Sequence, residues 1–259
     1  MKYNLLGKTG EKISQLSFGA MRIPLKEING SFYSDEDKSL PLFQKAYELG
    51  INYFDTAPLY CADISEIAVG EGVKKFRKDV LIATKLHFRD FEQNETGFMK
   101  ALEHSLKRLQ TDYIDIYQMW SFGKGAYDNT FIKNGIREAL IKAKEQGLIK
   151  HICFSFHGNP DDVKYILDNT DLFESILINN NIYDRSREEA IEYAASKGMG
   201  LINMGALSVP GVTERPEFRQ LASEKGYSPY ELALKFVLAN KNYHGHGEIM
   251  NTFHFQAFK

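Results

Sequence analysis

Two cysteines, Cys61 and Cys153, are all that the 259 residues contain. They form no CxxC or CxxxC pair, which argues against a disulfide framework or a cysteine-built metal site and suits a reducing compartment. No apolar run approaches the ~18 residues of a membrane-spanning helix. The opening MKYNLLGKTG carries no apolar core of a signal peptide. A cytoplasmic protein without a membrane partner is expected. The formal net charge is −2, with no long block of one sign. That leaves no basic field for nucleic acid or anionic lipid. Linkers rich in Pro, Gly and Ser and low-complexity segments are also missing. The expectation is one domain over residues 1–259, with 241–259 as an atypical tail.

What is present is globular in composition, 43% hydrophobic and 25% charged. Short apolar runs alternate with helical patterns, the order expected of βα units around a parallel sheet. Lys2–Leu6 and Glu11–Ser14 flank Gly7–Gly10 and predict a small hairpin. Strands are then predicted at Leu16–Gly19, Asn52–Asp55, Val80–Lys85, Tyr113–Met119, Ile149–Ser155, Ser175–Asn179 and Gly200–Met204. The predicted helices are Asp35–Leu49, Ser65–Val73, Glu95–Leu109, Lys133–Gln146, Asp161–Asn169, Arg187–Lys197, Glu217–Lys225 and Pro229–Asn240. Ser34 is the expected cap of the first helix, and Gly50 its stop. After Asn240 no comparable apolar strand is visible. Glu248–Met250 is the expected vestige of an eighth strand, without an eighth helix. The fold class is α/β: a (β/α)8 TIM barrel with an N-terminal β-hairpin and a shortened or irregular eighth unit. An open parallel sheet would carry the same alternation.

Strand two ends in Phe54-Asp55-Thr56-Ala57-Pro58-Leu59-Tyr60 and strand three in Ile82-Ala83-Thr84-Lys85. Both place ionisable groups at the C-terminal strand ends, where barrel enzymes work. A lysine and an aspartate on adjacent strand ends can pair. Alone they read as an ion pair closing the barrel mouth. An ammonium beside a tyrosine hydroxyl favours the phenolate, so a lowered Tyr60 pKa and a general acid are expected.

These segments resemble the aldo-keto reductases: FDTAPLY with IATK is similar to that family's FDTA-x-x-Y and strand-three lysine. Leu6–Gly10 is similar to its opening hairpin, Ser65-Glu66 through Gly70 to the segment after its tyrosine, and Arg108–Tyr117 to its RL-x-x-DY-x-D-x-Y. Phe154-Ser155-Phe156-His157 resembles the strand-five end of one bacterial branch. The likeness covers residues 1 to about 240. It implies NADP(H) across the barrel mouth, hydride transfer to a small carbonyl substrate, and catalytic roles for Asp55, Tyr60 and Lys85. Ser155 falls on a carboxamide contact. Asn179 and Asn181 are the remaining candidates to hold the cofactor.

The pattern also departs from the family. Trp120, the only tryptophan, stands where a histidine usually orients the carbonyl. An indole offers one N–H and no titratable proton, and Trp120 is read as a pocket wall. His87 and His157 lie near the same face and join Trp120 as substrate-pocket candidates. His157 reads more readily as a hydrogen-bonded loop residue than as a base. Asn180 occupies the place of the aromatic that stacks on the nicotinamide. Only Met250-Asn251-Thr252 hints at the phosphate-gripping loop, so a weakened NADP(H) site is expected. The cysteine-rich tail of the bacterial branch is missing, and no iron–sulfur cluster is expected. His244, His246 and His254 match no ligand spacing and read as a solvated tail, with no metal site. Two other functions fit the same residues: a non-redox lyase, dehydratase or isomerase, and a non-catalytic binding relative. The oligomeric state is not legible.

Overall fold

The computed structural model describes residues 1–207 and 211–249, and beyond Gly245 its backbone only. The chain opens with β1 (Tyr3–Leu5) and β2 (Lys12–Ser14), an antiparallel hairpin. β3 (Leu16–Gly19) follows, then a second hairpin of β4 (Leu25–Ile28) and β5 (Ser31–Ser34). From there strands and helices alternate: α1 (Glu36–Glu48), β6 (Tyr53–Asp55), α2 (Ser65–Val73), β7 (Leu81–Leu86), α3 (Glu95–Leu109) and β8 (Ile114–Met119). The second half holds the short α4 (Lys124–Ala126), α5 (Ile136–Glu145), β9 (Ile149–Phe156), α6 (Pro160–Asn169), β10 (Ser175–Asn179), α7 (Glu188–Ser196) and β11 (Gly200–Met204). It closes with α8 (Pro216–Glu224), α9 (Pro229–Leu238) and β12 (Gly245–Ile249).

Eight parallel strands close a barrel in the order β3-β6-β7-β8-β9-β10-β11-β12. The open-sheet alternative is thereby removed. Helix ends follow local chemistry. Asn94 accepts a hydrogen bond from the Gly97 N–H at 2.9 Å and starts α3. Asn159 with Pro160 starts α6, and Ser228 with Glu231 forms a capping box on α9.

Four expectations need correction. Ser34 does not cap α1: it ends β5, its hydroxyl meets that of Ser39 at 2.8 Å, and Asp35 takes the cap position. The hairpin β4–β5 was not expected, although Asn29-Gly30 signals it; both residues have positive φ, 52° and 79°. The helix expected from Lys133 begins at Ile136, after a π-helical turn over Tyr127–Ile132 and Gly135 at φ 72°. The eighth strand runs over Gly245–Ile249, pairing with both β11 and β3. It eluded the apolar pattern because it reads GHGEI. A side chain at Gly245 would lie 2.7 Å from Ile13 Cδ1, so close packing there favours glycine. Met250-Asn251-Thr252 and His254 lie outside the described residues, as does the His246 side chain.

The lumen changes character along its axis. Inward residues recur at every second strand position. Tyr53, Leu81, Ala83, Ile116, Cys153, Leu177 and Ile202 form an apolar column with Leu6 and Ile13 from the first hairpin. Gly7, at φ 46°, brings the hairpin so close that a Cβ would lie 2.1 Å from the Gly200 nitrogen. The hairpin therefore stops the N-terminal end of the barrel. Two residues further up, five of the strands turn polar, with Asp55, Lys85, Gln118, Ser155 and Asn179, while β11 carries Met204.

Candidate active site

Asp55 ends β6 and Lys85 lies on β7, both buried. The Lys85 ammonium donates to Asp55 Oδ1 at 2.7 Å and to the Thr56 carbonyl at 2.7 Å. Gln118 Nε2 donates to Asp55 Oδ2 at 3.1 Å. Burial alone would lower the Lys85 pKa, but the Asp55 carboxylate and Tyr60 outweigh it and hold the ammonium above its ordinary value. A buried charge is tolerated on these terms only when paired and hydrogen-bonded. Gln118 escaped the sequence reading. Its signal was a polar residue at the inward position two beyond Ile116.

Tyr60 sits in the turn after β6, with the Lys85 ammonium 4.8 Å from its ring centroid. The expected lowering of its pKa is reversed. Burial pushes the phenol up, and Lys85, which acts on it through charge and hydrogen bonding, offsets this only in part. Tyr60 therefore holds its proton throughout the neutral range, the state a proton donor needs. The turn behind it carries three successive left-handed residues, Cys61, Ala62 and Asp63, at φ 54°, 52° and 69°. Such residues cost roughly 1–2 kcal/mol each, and specific contacts hold them. Cys61 Sγ accepts the Ile23 N–H at 3.2 Å and lies 3.1 Å from the Met21 carbonyl. Arg89 Nη2 donates to Asp63 at 2.5 Å. Beneath the turn, Glu66 is fully buried, accepts from Thr84 at 2.6 Å and pairs with Arg108 at 3.1 Å. Arg108 in turn donates to the Pro58 carbonyl at 3.4 Å. Motif residues Glu66 and Arg108 thus brace the loop that presents Tyr60.

Trp120 meets Tyr60 edge-on at 5.7 Å between ring centroids and His87 at 5.3 Å. A cavity of about 640 Å³ opens beside them, lined by His87, Trp120, Leu59, Met119 and Phe122 among others. Its outer rim includes Ala126 and Thr130 from the segment after β8, which the sequence reading passed over. His157 is exposed at the strand-five end and does not line that cavity. Partial desolvation, then the Arg187 and Lys85 charges, hold its imidazole below the usual range.

The asparagines separate. Ser155 Oγ accepts the Ser121 N–H at 2.9 Å and keeps its own O–H to donate. Among the described residues the Asn179 side chain has one hydrogen bond, donated to Asp184 at 3.4 Å. Asn181 is buried and bound to backbone: its Oδ1 accepts from Tyr183 and Asp184, and its Nδ2 donates to Gly205. That side chain shapes the loop and leaves little to offer a cofactor. Asn180 is buried, its carbonyl accepts from Asn203, and its side chain engages Tyr243. His244, expected in a solvated tail, is half-buried and accepts the Leu201 N–H at 3.0 Å as the chain enters β12. Among the described residues no three His, Cys, Asp or Glu side chains are placed to hold a metal ion, and no helix is long and apolar enough to cross a membrane.

The sequence profile described as "Aldo/keto reductase family" matches residues 15–251. The chain belongs to the aldo/keto reductase family. It is an oxidoreductase-family barrel similar to L-galactose dehydrogenase of Arabidopsis thaliana, 32% identical over 91% of this chain and 80% of that protein. It is 35% identical to the aldo-keto reductase YhdN of Bacillus subtilis over 80% of this chain and 62% of that one. In fold it is similar to the holo form of the Bacillus halodurans aldo-keto reductase AKR11C1, with a TM-score of 0.83 and 27% identity. That match covers 100% of this chain and 91% of the other. A Klebsiella pneumoniae aldo/keto reductase solved with NADP and acetate shares the fold at a TM-score of 0.80 and 17% identity, over 99% of this chain and 88% of that one.

Proposed function

We propose that this chain is an NADP(H)-dependent reductase that interconverts a small carbonyl compound and its alcohol. The observation that carries the reading is a buried Asp55–Lys85 pair with Tyr60 held, protonated, over the ammonium. The donors at the mouth fit a nicotinamide carboxamide: Ser155 retains a free O–H, and the weakly held Asn179 amide can turn toward it. NADPH, when bound, supplies the hydride to the carbonyl carbon. Tyr60 gives its proton to the carbonyl oxygen. Lys85 stabilises the phenolate left behind, and Asp55, steadied by Gln118, keeps Lys85 in place. Trp120 forms the pocket wall, with His87 beside it, and His157 takes no part in lining that cavity.

Two experiments test this. Tyr60→Phe should lower NADPH-dependent aldehyde reduction by about 10²–10⁴-fold with the thermal midpoint unchanged; undiminished turnover would sink the assignment. Titration with NADPH should quench Trp120 fluorescence saturably, because the indole borders the site. Folded protein that shows no change up to millimolar NADPH argues for non-redox chemistry.

A further inference from the structure

The Trp120 indole is flanked by two hydrogen-bonding side chains, Tyr60 and His87. The tautomer of His87 is set from behind. The Arg89 backbone N–H donates to His87 Nδ1 at 2.9 Å, so the ring proton of the neutral imidazole must sit on Nε2. Nε2 has no hydrogen-bond partner among the described residues. Burial, then the Arg89 charge, lowers the His87 pKa, so the imidazole is neutral at pH 7.

Among the described residues Arg89 is the cation that lines this cavity, but its charge is already answered. The guanidinium reaches Asp63 at 2.5 Å and Asp90 at 3.5 Å. One residue therefore fixes the His87 ring through its backbone and ties the Tyr60 turn through its side chain. What remains facing the space is apolar (Leu59, Met119, Phe122) apart from neutral donors and acceptors.

We propose that His87 is the substrate-recognition donor of this cavity: its Nε2–H reads a neutral acceptor oxygen on a substrate laid along the Trp120 indole with its carbonyl at Tyr60. The inference rests on the reductase reading and narrows it. The substrate class is an uncharged carbonyl compound with a second acceptor oxygen. A carboxylate or phosphate would meet a neutral imidazole and an arginine already paired with two carboxylates. Its desolvation would go unrepaid.

The test compares near-isosteric aldehydes with NADPH: 3- and 4-nitrobenzaldehyde, which carry neutral acceptors; 3- and 4-isopropylbenzaldehyde, which carry none; and 4-carboxybenzaldehyde, an anion. Comparing ratios between wild type and variant cancels intrinsic reactivity. His87→Leu should lower kcat/KM for a nitro substrate by about 10-fold or more relative to its isopropyl partner. His87→Gln, which keeps an N–H near the Nε2 position, should restore most of that ratio. Equal losses for both partners reduce His87 to packing and overturn the proposal alone. A wild-type preference for the carboxy over the nitro aldehyde overturns the substrate class. If no aldehyde consumes NADPH and NADPH leaves Trp120 fluorescence unchanged, the reductase reading fails and takes this one with it. Independently of turnover, ¹⁵N spectra of histidine-labelled protein should show the resonance lost in His87→Gln as the Nε2–H tautomer; an Nδ1–H tautomer overturns the proposal.

Discussion

The two ends of the barrel lumen are built from the same strands, yet they differ in what they bury and in how they are closed. At the N-terminal end the inward residues are apolar and the first hairpin presses Leu6 and Ile13 into them. Two residues higher on the same strands stand Asp55, Lys85 and Gln118, joined by hydrogen bonds. The lower end is stabilised by area removed from water, which depends little on direction. The upper end stabilises its charges only through particular partners at particular distances. One scaffold thus separates a region that tolerates conservative repacking from a region that does not.

The comparison can be broken at its upper end most severely. Lys85→Met strips Asp55 of its cation and Tyr60 of the charge that stabilises its phenolate. Turnover should fall by about 10³-fold or more, and the lost buried pair should cost about 3–5 kcal/mol, read by denaturant unfolding. Leu6→Ala probes the other end. It should lower stability by about 2–5 kcal/mol and leave kcat/KM unchanged; a change in kcat/KM would show that the two ends are coupled. Smaller in effect is the alkaline profile. Because burial holds the Tyr60 phenol above its ordinary value of 10.0, reduction should stay level from about pH 6 to 9.5 and fall only above 10. The smallest effect is in acid. His87, His157 and His244 all have pKa values below 6.5 in the folded chain. The folded protein then binds fewer protons than the unfolded chain, so stability is full above pH 6.5 and declines as the pH falls below it. Midpoints measured between pH 7.5 and 5 should drop, and His244→Asn should flatten that slope.

The sequence carried much of this. Periodicity and capping residues gave seven of the barrel strands, and the positions of Asp55, Tyr60 and Lys85 at or just after predicted strand ends put them at one mouth. What it carried poorly were properties that depend on three-dimensional surroundings. The sign of the Tyr60 shift turns on burial against one ammonium, and a linear reading sees the ammonium but not the burial. Gln118 looks like any strand-end polar residue until Asp55 is found beside it. β12 was obscured because its glycine-rich, charged sequence lacks the apolar run of its neighbours. Asn29-Gly30, by contrast, is a legible hairpin signal, with both residues at positive φ.

The pairing of β12 with β3 sets a timetable. His246 lies opposite Leu16, 230 residues earlier in the chain. At roughly 5–20 residues per second, a ribosome needs about 12–46 s to pass from one to the other. Throughout that interval β3 has no partner on its β12 side, and an open strand edge invites the wrong neighbour. The nascent chain must therefore wait, shielded, for the eighth barrel strand before the first barrel strand is safe.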